Sequence, residues 1–217
     1  MTPVDLVVFD HDGTLVNSLP VVVEASNAVM ATFGYERKPG AEIVAGMVHP
    51  TAPRLGLLAG TSDIEIQHKM ARLYRELALR CSALAELYPG IAGLLRALKG
   101  LGIPLAVLSN SEGIFVRTIL ERLEVANYFF CLTGEEDMPA PKPDPRGLLR
   151  ILELAGCGPQ RAVYVGDSRT DLETARAAGL KSIGVTWGAH PRVEMEDLGF
   201  EALVEEPAQL LALLKGP

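Results

Sequence analysis

Short apolar runs alternate with helical patterns along most of this chain, and this alternation narrows the possible folds more than any other feature. Residues 4–9 form a β-branched, mainly apolar run that ends at Asp10, as expected of a strand buried on both faces of a parallel sheet. Similar runs occupy residues 104–108, 128–132, 161–165, 181–185 and 202–204. Because helical patterns separate most of them, we predict right-handed crossovers and an α/β fold with a doubly wound parallel sheet.

The stretch 16–86 departs from this alternation, because it contains long helical patterns and no convincing strand. Residues 19–33 are predicted to form one helix closed by Gly34, and residues 63–85 a second one with an apolar face. We therefore predict an α-helical subdomain at 16–86, inserted into an α/β core made of residues 1–15 and 87–217.

Charge, hydropathy and cysteine content argue against several classes of function. A net charge of −7 gives no general attraction to nucleic acid, which requires clustered Lys and Arg. No apolar run approaches the roughly 18 residues that span a bilayer, and the first residues lack the basic leader of a signal peptide, so we expect no membrane association and a cytoplasmic location. Cys81, Cys131 and Cys157 are scattered, which indicates neither a disulfide framework nor a zinc site.

Two carboxylates, Asp10 and Asp12, directly follow the first apolar run, at the sheet edge where open α/β sheets bind ligands. Such a pair suits Mg²⁺, which takes one or two carboxylates together with phosphate oxygens of a substrate. With the cation shielding the repulsion between anions, one carboxylate can attack phosphorus while the other protonates the leaving oxygen. Taken alone, the motif also fits an ordinary turn built on Asp and Gly.

A second run, 104–108, is followed by Ser109 and Asn110, whose hydroxyl and amide are suited to binding a phosphoryl group. A helix cap or a turn is the more common use of such a pair. Ser111 is the candidate N-cap of a helix whose apolar residues occupy 115–123.

A cation and two more carboxylates complete the set. Lys142 lies in a proline-rich loop that stays rigid and non-helical, where it can neutralise phosphate, although a solvated surface lysine is the ordinary alternative. Asp167 follows the apolar run 161–165 and the glycine after it, which places its carboxylate to bind a metal. Asp171 has either a helix-capping or an active-site role. These groups fall at or beyond the carboxyl ends of strands, which is improbable for independent turns.

In order and spacing these segments resemble the four motifs of the haloacid dehalogenase superfamily, specifically its phosphoglycolate-phosphatase-like branch with a helical cap. Residues 9–15 look like motif one, Ser109 with Asn110 like motif two, Lys142 like motif three and residues 166–171 like motif four. The resemblance covers the whole chain. It implies a Rossmann-like core, with the helical insert as a mobile cap.

The resemblance also implies a role for each residue. Asp10 would be the nucleophile and a Mg²⁺ ligand, Asp12 the general acid/base and a ligand through its backbone carbonyl, and Asp167 would complete the metal set. The remaining residues would bind phosphoryl oxygens (Ser109 and Asn110), stabilise the nucleophile and the phosphate charge (Lys142), and support the metal shell and the lysine (Asp171).

Three features depart from the motifs of this family or lie outside them. His11 stands where these phosphatases usually carry an apolar residue, and Asn17 replaces an aspartate common in the branch. Residues 46–54 are the candidate specificity loop, because this stretch of the insert combines a histidine, rigid prolines and Arg54. Arg54 is the candidate for binding an anionic part of the substrate, with a surface salt bridge as the ordinary alternative.

We therefore predict a Mg²⁺-dependent phosphatase that hydrolyses a small phosphomonoester through an aspartyl-phosphate intermediate, as a monomer or a homodimer. Asp12 argues against a dehalogenase, which by resemblance lacks this acid. A β-phosphoglucomutase-like phosphotransferase keeps every motif, so the sequence leaves that alternative open. A non-enzymatic binding module is disfavoured, because Asp10, Asp12, Lys142 and Asp167 are all present.

Overall fold

A computed structural model describes residues 4–188, 190 and 192–215 and divides the chain into two compact units. The first, here called the core unit, is Met1–Asn17 with Glu86–Pro217, and the second, the helical unit, is Ser18–Ala85. Among the residues that the structure describes, no helix has both the length and the apolar character needed to cross a membrane.

The strands all belong to the core unit and the helices to both units. The strands are β1 (Leu6–Phe9), β2 (Val16–Asn17), β3 (Glu86–Leu87), β4 (Leu105–Leu108), β5 (Cys131–Thr133), β6 (Ala162–Gly166), β7 (Lys181–Val185) and β8 (Ala202–Val204). The helices are α1 (Leu19–Thr32), α2 (Gly40–Ala45), α3 (Thr51–Ala59), α4 (Ile64–Arg80), α5 (Ile91–Gly100), α6 (Gly113–Arg122), α7 (Arg146–Ala155), α8 (Arg169–Ala178), α9 (Arg192–Leu198) and α10 (Pro207–Lys215).

Six of the strands form one parallel sheet in the order β5-β4-β1-β6-β7-β8, which confirms the predicted doubly wound α/β fold. The strands β4 and β5 lie on one side of β1, and β6, β7 and β8, which come later in the chain, lie on the other side. The strand order therefore reverses at β1, and such a reversal creates a crevice at the carboxyl ends of the central strands.

The sheet is held by apolar side chains on both faces. Leu6 and Val8 point to one face, where they join a buried cluster with Leu148 of α7 and Ala175 of α8. Val7, between them, points to the opposite face and is fully buried as well. Burying each of these larger side chains contributes about 1.5–3 kcal/mol, so β1 is a rigid support for the residues that follow it.

Some boundaries differ from the sequence-based prediction. β7 and β8 lie where they were predicted, whereas β5 begins only at Cys131, because Ala126–Tyr128 form a 3-10 turn. The prediction that residues 16–86 contain no strand was wrong at its ends, where β2 pairs antiparallel with β3. Strands of two residues are too short to show an alternating pattern.

The predicted N-cap at Ser111 was also wrong. Helix α6 begins at Gly113, the residue in the capping position is Glu112, and no side chain there forms a capping hydrogen bond. The hydroxyl of Ser111 donates instead to a distant carboxylate, that of Asp12. A long-range partner has thus displaced the local one.

The helical unit has its own apolar cluster. α1, α3 and α4 contribute most of its buried residues, which are Val22, Val29, Met30, Ile43, Leu55, Leu58 and Met70. Helix α4 begins after Asp63, whose side chain accepts hydrogen bonds from the backbone N–H groups of Glu65 and Ile66. It ends at Arg80, earlier than the predicted residue 85, and Cys81–Leu84 continue as a 3-10 helix.

Candidate active site

The predicted site residues of the core unit lie at the ends of three adjacent strands. Asp10 directly follows β1, Ser109 directly follows β4, and Asp167 directly follows β6. Asp10, Ser109 and Asp167 are all buried. The sheet therefore brings together a carboxylate pair and a hydroxyl that are far apart in the sequence.

Lys142 joins these strand ends. Its Nζ donates to Asp10 Oδ1 at 2.7 Å, to Asp171 Oδ1 at 2.7 Å and to the Tyr164 hydroxyl at 3.1 Å. The Tyr164 hydroxyl donates in turn to the Leu108 carbonyl oxygen at 3.1 Å. All three donor hydrogens of the lysine thus have acceptors, and the ammonium group is fixed against the predicted nucleophile.

Asn110 holds the loop that carries this lysine. Its Oδ1 accepts the backbone N–H of Lys142 at 2.7 Å, and its Nδ2 donates to the Lys142 carbonyl oxygen at 3.1 Å. The side-chain amide predicted to bind phosphoryl oxygens is therefore engaged with the protein backbone. In this geometry Asn110 orients the loop that carries Lys142, and one of its two Nδ2 hydrogens is not used by this pairing.

Three buried carboxylates lie close together, and two of them contact the ammonium group of Lys142. Oxygen atoms of Asp10, Asp167 and Asp171 lie within 4.8 Å of one another. Burial, and then repulsion from Asp171, raises the pKa of Asp10 well above its usual range, although Lys142 opposes this. Burial alone would lower the pKa of Lys142, but Asp10 and Asp171 raise it well above its ordinary value, so the amine stays protonated.

This excess of carboxylates fits a hard divalent cation. Oxygen donors are the ligands that Mg²⁺ prefers, and one lysine leaves the cluster with more negative than positive charge. The negative charge also affects Tyr88: its burial, and then the charges of Asp167 and Asp12, raise the pKa of its hydroxyl to about 12. The residues present can therefore hold the predicted metal.

Asp12 lies outside the carboxylate cluster, and other side chains hold its carboxylate. Its Oδ2 accepts from Ser111 Oγ at 2.6 Å and, more weakly, from Ser109 Oγ at 3.4 Å. His11 Nδ1 lies 3.2 Å from Asp12 Oδ1 without the angles of a hydrogen bond, and neither ring nitrogen of this fully buried histidine has a hydrogen-bond partner. Asp12 and Asp10 thus occupy different surroundings.

Asp171 has both of the roles that the sequence left open. Its Oδ2 accepts the Ser168 backbone N–H at 3.1 Å, and its own N–H donates to Ser168 Oγ, which makes the capping box of α8. Its Oδ1 accepts the hydrogen bond from Lys142. The start of α8 thereby fixes one side of the lysine.

Backbone packs closely against the Asp167 carboxylate. A Cβ atom at Gly13, where φ is +79°, would lie 2.1 Å from Asp167 Oδ2, and one at Gly188 would lie 2.3 Å from the same oxygen. Beside Gly188, Trp187 Nε1 donates to the Thr14 carbonyl oxygen at 3.0 Å. The loop after β7 thus shapes the site.

Sequence reasoning did not identify Tyr164, Trp187 or Gly188. A tyrosine inside a buried apolar strand was a usable signal, because a buried hydroxyl needs a hydrogen-bond partner. The single tryptophan next to a glycine is a weaker one. Neither pattern by itself indicates which group the side chain contacts.

Arg54 belongs to the helical unit and is buried, with only 6% of its surface exposed. Its guanidinium lies over the ring of Tyr74, 5.0 Å from the ring centroid. Its Nε and Nη2 have no hydrogen-bond partner. The alternative of a surface salt bridge does not describe this environment.

Comparisons with known proteins find similar proteins along most of this chain. The profile of the family described as haloacid dehalogenase-like hydrolase matches residues 7–185. A phosphoglycolate phosphatase of Pseudomonas putida is 35% identical over 193 residues, which cover 84% of this chain and 70% of the relative. Phosphoglycolate phosphatase 1 of Pseudomonas aeruginosa is 36% identical over 192 residues, with the same two coverages of 84% and 70%.

Solved structures are similar to this protein over nearly its whole length. The crystal structure of a protein described as a predicted phosphoglycolate phosphatase from Haemophilus somnus superposes with a TM-score of 0.88 at 25% identity, covering 97% of this chain and 98% of the other. A haloacid dehalogenase-like family protein of Streptococcus pneumoniae, at 23% identity, shares the fold with a TM-score of 0.85 over 98% of this chain and 99% of its own.

Proposed function

Because this chain belongs to the haloacid dehalogenase-like hydrolase family, as a phosphatase similar to the phosphoglycolate phosphatases, we propose that it hydrolyses a small phosphomonoester through an aspartyl-phosphate on Asp10. The observation that carries the proposal is the contact of Asp10 with Lys142 at 2.7 Å, within a buried group of carboxylates at the end of β1. A carboxylate so placed can act as a nucleophile once its charge is balanced.

Mg²⁺ is the proposed cofactor. Asp10 and Asp167, with the backbone carbonyl of Asp12, would hold the ion, and Asp171 would support this set. When bound, Mg²⁺ neutralises charge on the phosphoryl oxygens and so reduces their repulsion by the carboxylates. The excess of buried carboxylates over cations supports this assignment.

The protein groups then divide the chemistry between them. Asp10 attacks phosphorus, while Asp12 donates a proton to the oxygen of the departing alcohol. In the second step Asp12 takes a proton from water as that water attacks the phosphorylated Asp10. Lys142 compensates the charge on Asp10 and on the phosphoryl group, and Ser109 donates a hydrogen bond to a phosphoryl oxygen.

We also propose that the helical unit acts as the cap and that Arg54 binds a second anionic group of the substrate. A buried guanidinium with two nitrogen atoms lacking partners supports this, since an unmet donor of this kind is costly. We expect Arg54→Met to raise KM for phosphoglycolate by about tenfold or more and to leave KM for p-nitrophenyl phosphate nearly unchanged. Equal changes in the two KM values would contradict the assignment.

The central experiment combines turnover with detection of the intermediate. Phosphate release from p-nitrophenyl phosphate and phosphoglycolate is measured with Mg²⁺ and with excess EDTA, for the wild type and for Asp10→Asn. We expect activity only in the wild type with Mg²⁺, and mass spectrometry of an acid-quenched reaction should find phosphate on a peptide that contains Asp10. Full turnover by Asp10→Asn would rule out the covalent mechanism.

The same material distinguishes hydrolysis from phosphotransfer. A β-phosphoglucomutase-like enzyme would use the same first step and pass the phosphoryl group to a sugar. Wild-type protein is therefore incubated with a hexose 1-phosphate, and free phosphate and hexose 6-phosphate are both measured. Release of phosphate without formation of the isomer supports the phosphatase.

A further inference from the structure

The surroundings of Asp12 suggest a role for a residue outside the four motifs. Ser111 Oγ donates to Asp12 Oδ2 at 2.6 Å, a shorter distance than the 3.4 Å between this oxygen and Ser109 Oγ. Asp12 is partly exposed, with 24% of its side-chain surface accessible, and the short contact with Ser111 favours one rotamer of its carboxylate. The closest hydrogen bond described for the Asp12 carboxylate thus comes from Ser111.

The backbone of Ser111 is anchored on both sides. Its N–H donates to Ser109 Oγ at 3.0 Å, and its carbonyl oxygen accepts the backbone N–H of Glu135 at 3.0 Å. The hydroxyl of Ser111 is therefore presented from a fixed turn. A flexible loop could not hold a carboxylate in one orientation as well.

The hydroxyl of Ser111 is not engaged by the helix that follows it. Helix α6 starts at Gly113, and the residue in the capping position is Glu112. The backbone N–H of Gly113 donates to the carboxylate of Glu136, at 3.0 and 2.9 Å from its two oxygens. The start of α6 therefore does not compete with Asp12 for the Ser111 hydroxyl.

We propose that Ser111 is a positioning residue that orients the Asp12 carboxyl for proton transfer to the leaving oxygen. The proposal rests on the proposed phosphatase function. As the bond between Asp10 Oδ and phosphorus forms and the bond between phosphorus and the ester oxygen breaks, the proton moves from Asp12 to that ester oxygen. Ser111 itself transfers no proton.

Leaving-group dependence separates this role from a general structural one. p-Nitrophenolate departs readily as an anion, whereas an alkoxide needs the proton as it leaves. The ratio kcat/KM reports the steps up to the first irreversible one, here the phosphorylation of Asp10. Loss of Ser111 should therefore affect alkyl phosphates much more than p-nitrophenyl phosphate.

The test compares kcat/KM for phosphoglycolate and p-nitrophenyl phosphate in the wild type, Ser111→Ala and Ser111→Thr. We expect Ser111→Ala to lower the value for phosphoglycolate by about tenfold or more, the size of one hydrogen bond to a charged group, and that for p-nitrophenyl phosphate by less than about threefold. Ser111→Thr, which keeps a hydroxyl, should restore phosphoglycolate turnover to within about threefold of the wild type.

Ser182→Ala is the matched control, because Ser182 Oγ also donates to a carboxylate, that of Glu201, but lies on β7 away from Asp12. It should leave the ratio of the two kcat/KM values unchanged. Equal losses for both esters in Ser111→Ala, or no loss for either, would overturn the proposal while the wild type remains a phosphatase. A wild type that releases phosphate from neither ester overturns the phosphatase function itself, and the positioning role with it.

Discussion

Replacing Lys142 by methionine tests the electrostatic account of the site. Methionine fills a similar volume but removes the charge that contacts Asp10 and Asp171, each at 2.7 Å. Removing one member of a buried ionic group costs about 3–5 kcal/mol, because the remaining charges are left without compensation. At about 2–4 °C per kcal/mol for a chain of this size, the Tm of the metal-free variant should fall by about 6–20 °C.

The loss should depend on pH. Without the ammonium group the pKa of Asp10, already raised by burial, rises further. A carboxyl whose pKa is higher in the folded than in the unfolded state adds stability at low pH, and that stability is lost as pH rises through the folded-state value. The difference in Tm between the wild type and Lys142→Met should therefore be largest near about pH 8 and should shrink toward about pH 5.

The assay is thermal unfolding followed by circular dichroism in EDTA. Lys69→Met is the matched control, since Lys69 forms an exposed ion pair with Glu65, and losing such a pair costs at most about 1 kcal/mol. In a background that carries Asp10→Asn and Asp171→Asn the buried ammonium has lost both of its salt-bridge carboxylates, so there Lys142→Met should not lower Tm. A Tm within about 2 °C of the wild type at about pH 8 would refute the reasoning.

Three further predictions concern neighbouring residues. Gly188→Ala should weaken Mg²⁺ binding, measured by calorimetry, at least about tenfold, because the new Cβ would displace the Asp167 carboxylate; unchanged affinity would contradict this. Trp187 is the single tryptophan and donates to Thr14, so its fluorescence should change on titration with Mg²⁺, and a flat titration alongside measurable binding would argue against the contact. His11→Leu should raise Tm by about 2–4 °C, because a buried imidazole with neither nitrogen hydrogen-bonded costs about 1 kcal/mol or more; a lower Tm would show that its packing on Phe115 matters more.

The sheet and the ends of its strands could be predicted because their causes are local. A short run of apolar and β-branched residues favours a buried strand, and a carboxylate after such a strand, as at Asp10 or Asp167, lies at the sheet edge. In a parallel sheet the carboxyl ends of all strands lie on the same side, so residues that follow different strands come close together. The predicted α/β class therefore needed only the apolar pattern.

The partners of the polar side chains could not be predicted in the same way. Asn110 and Lys142 pair across 32 residues, and Ser111 and Asp12 across 99. Such contacts depend on the paths of loops, whereas propensity describes only neighbours in sequence. Ser111 is an example: its position in the sequence predicted a helix cap, whereas its hydroxyl donates to the distant carboxylate of Asp12.

The pairing of β2 with β3 places Asn17 opposite Glu86, where the core unit ends before the helical unit and resumes after it. Because these two residues are paired, the segment between them starts and ends at neighbouring points. The entropic cost of closing such a segment rises only slowly with its length. The β2–β3 pair is therefore a point at which segments of different length can be inserted. Recombination could replace residues 18–85 with a tight turn or an unrelated domain without altering the register of the six-stranded sheet, so that the catalytic sheet and its insert are free to diversify at different rates.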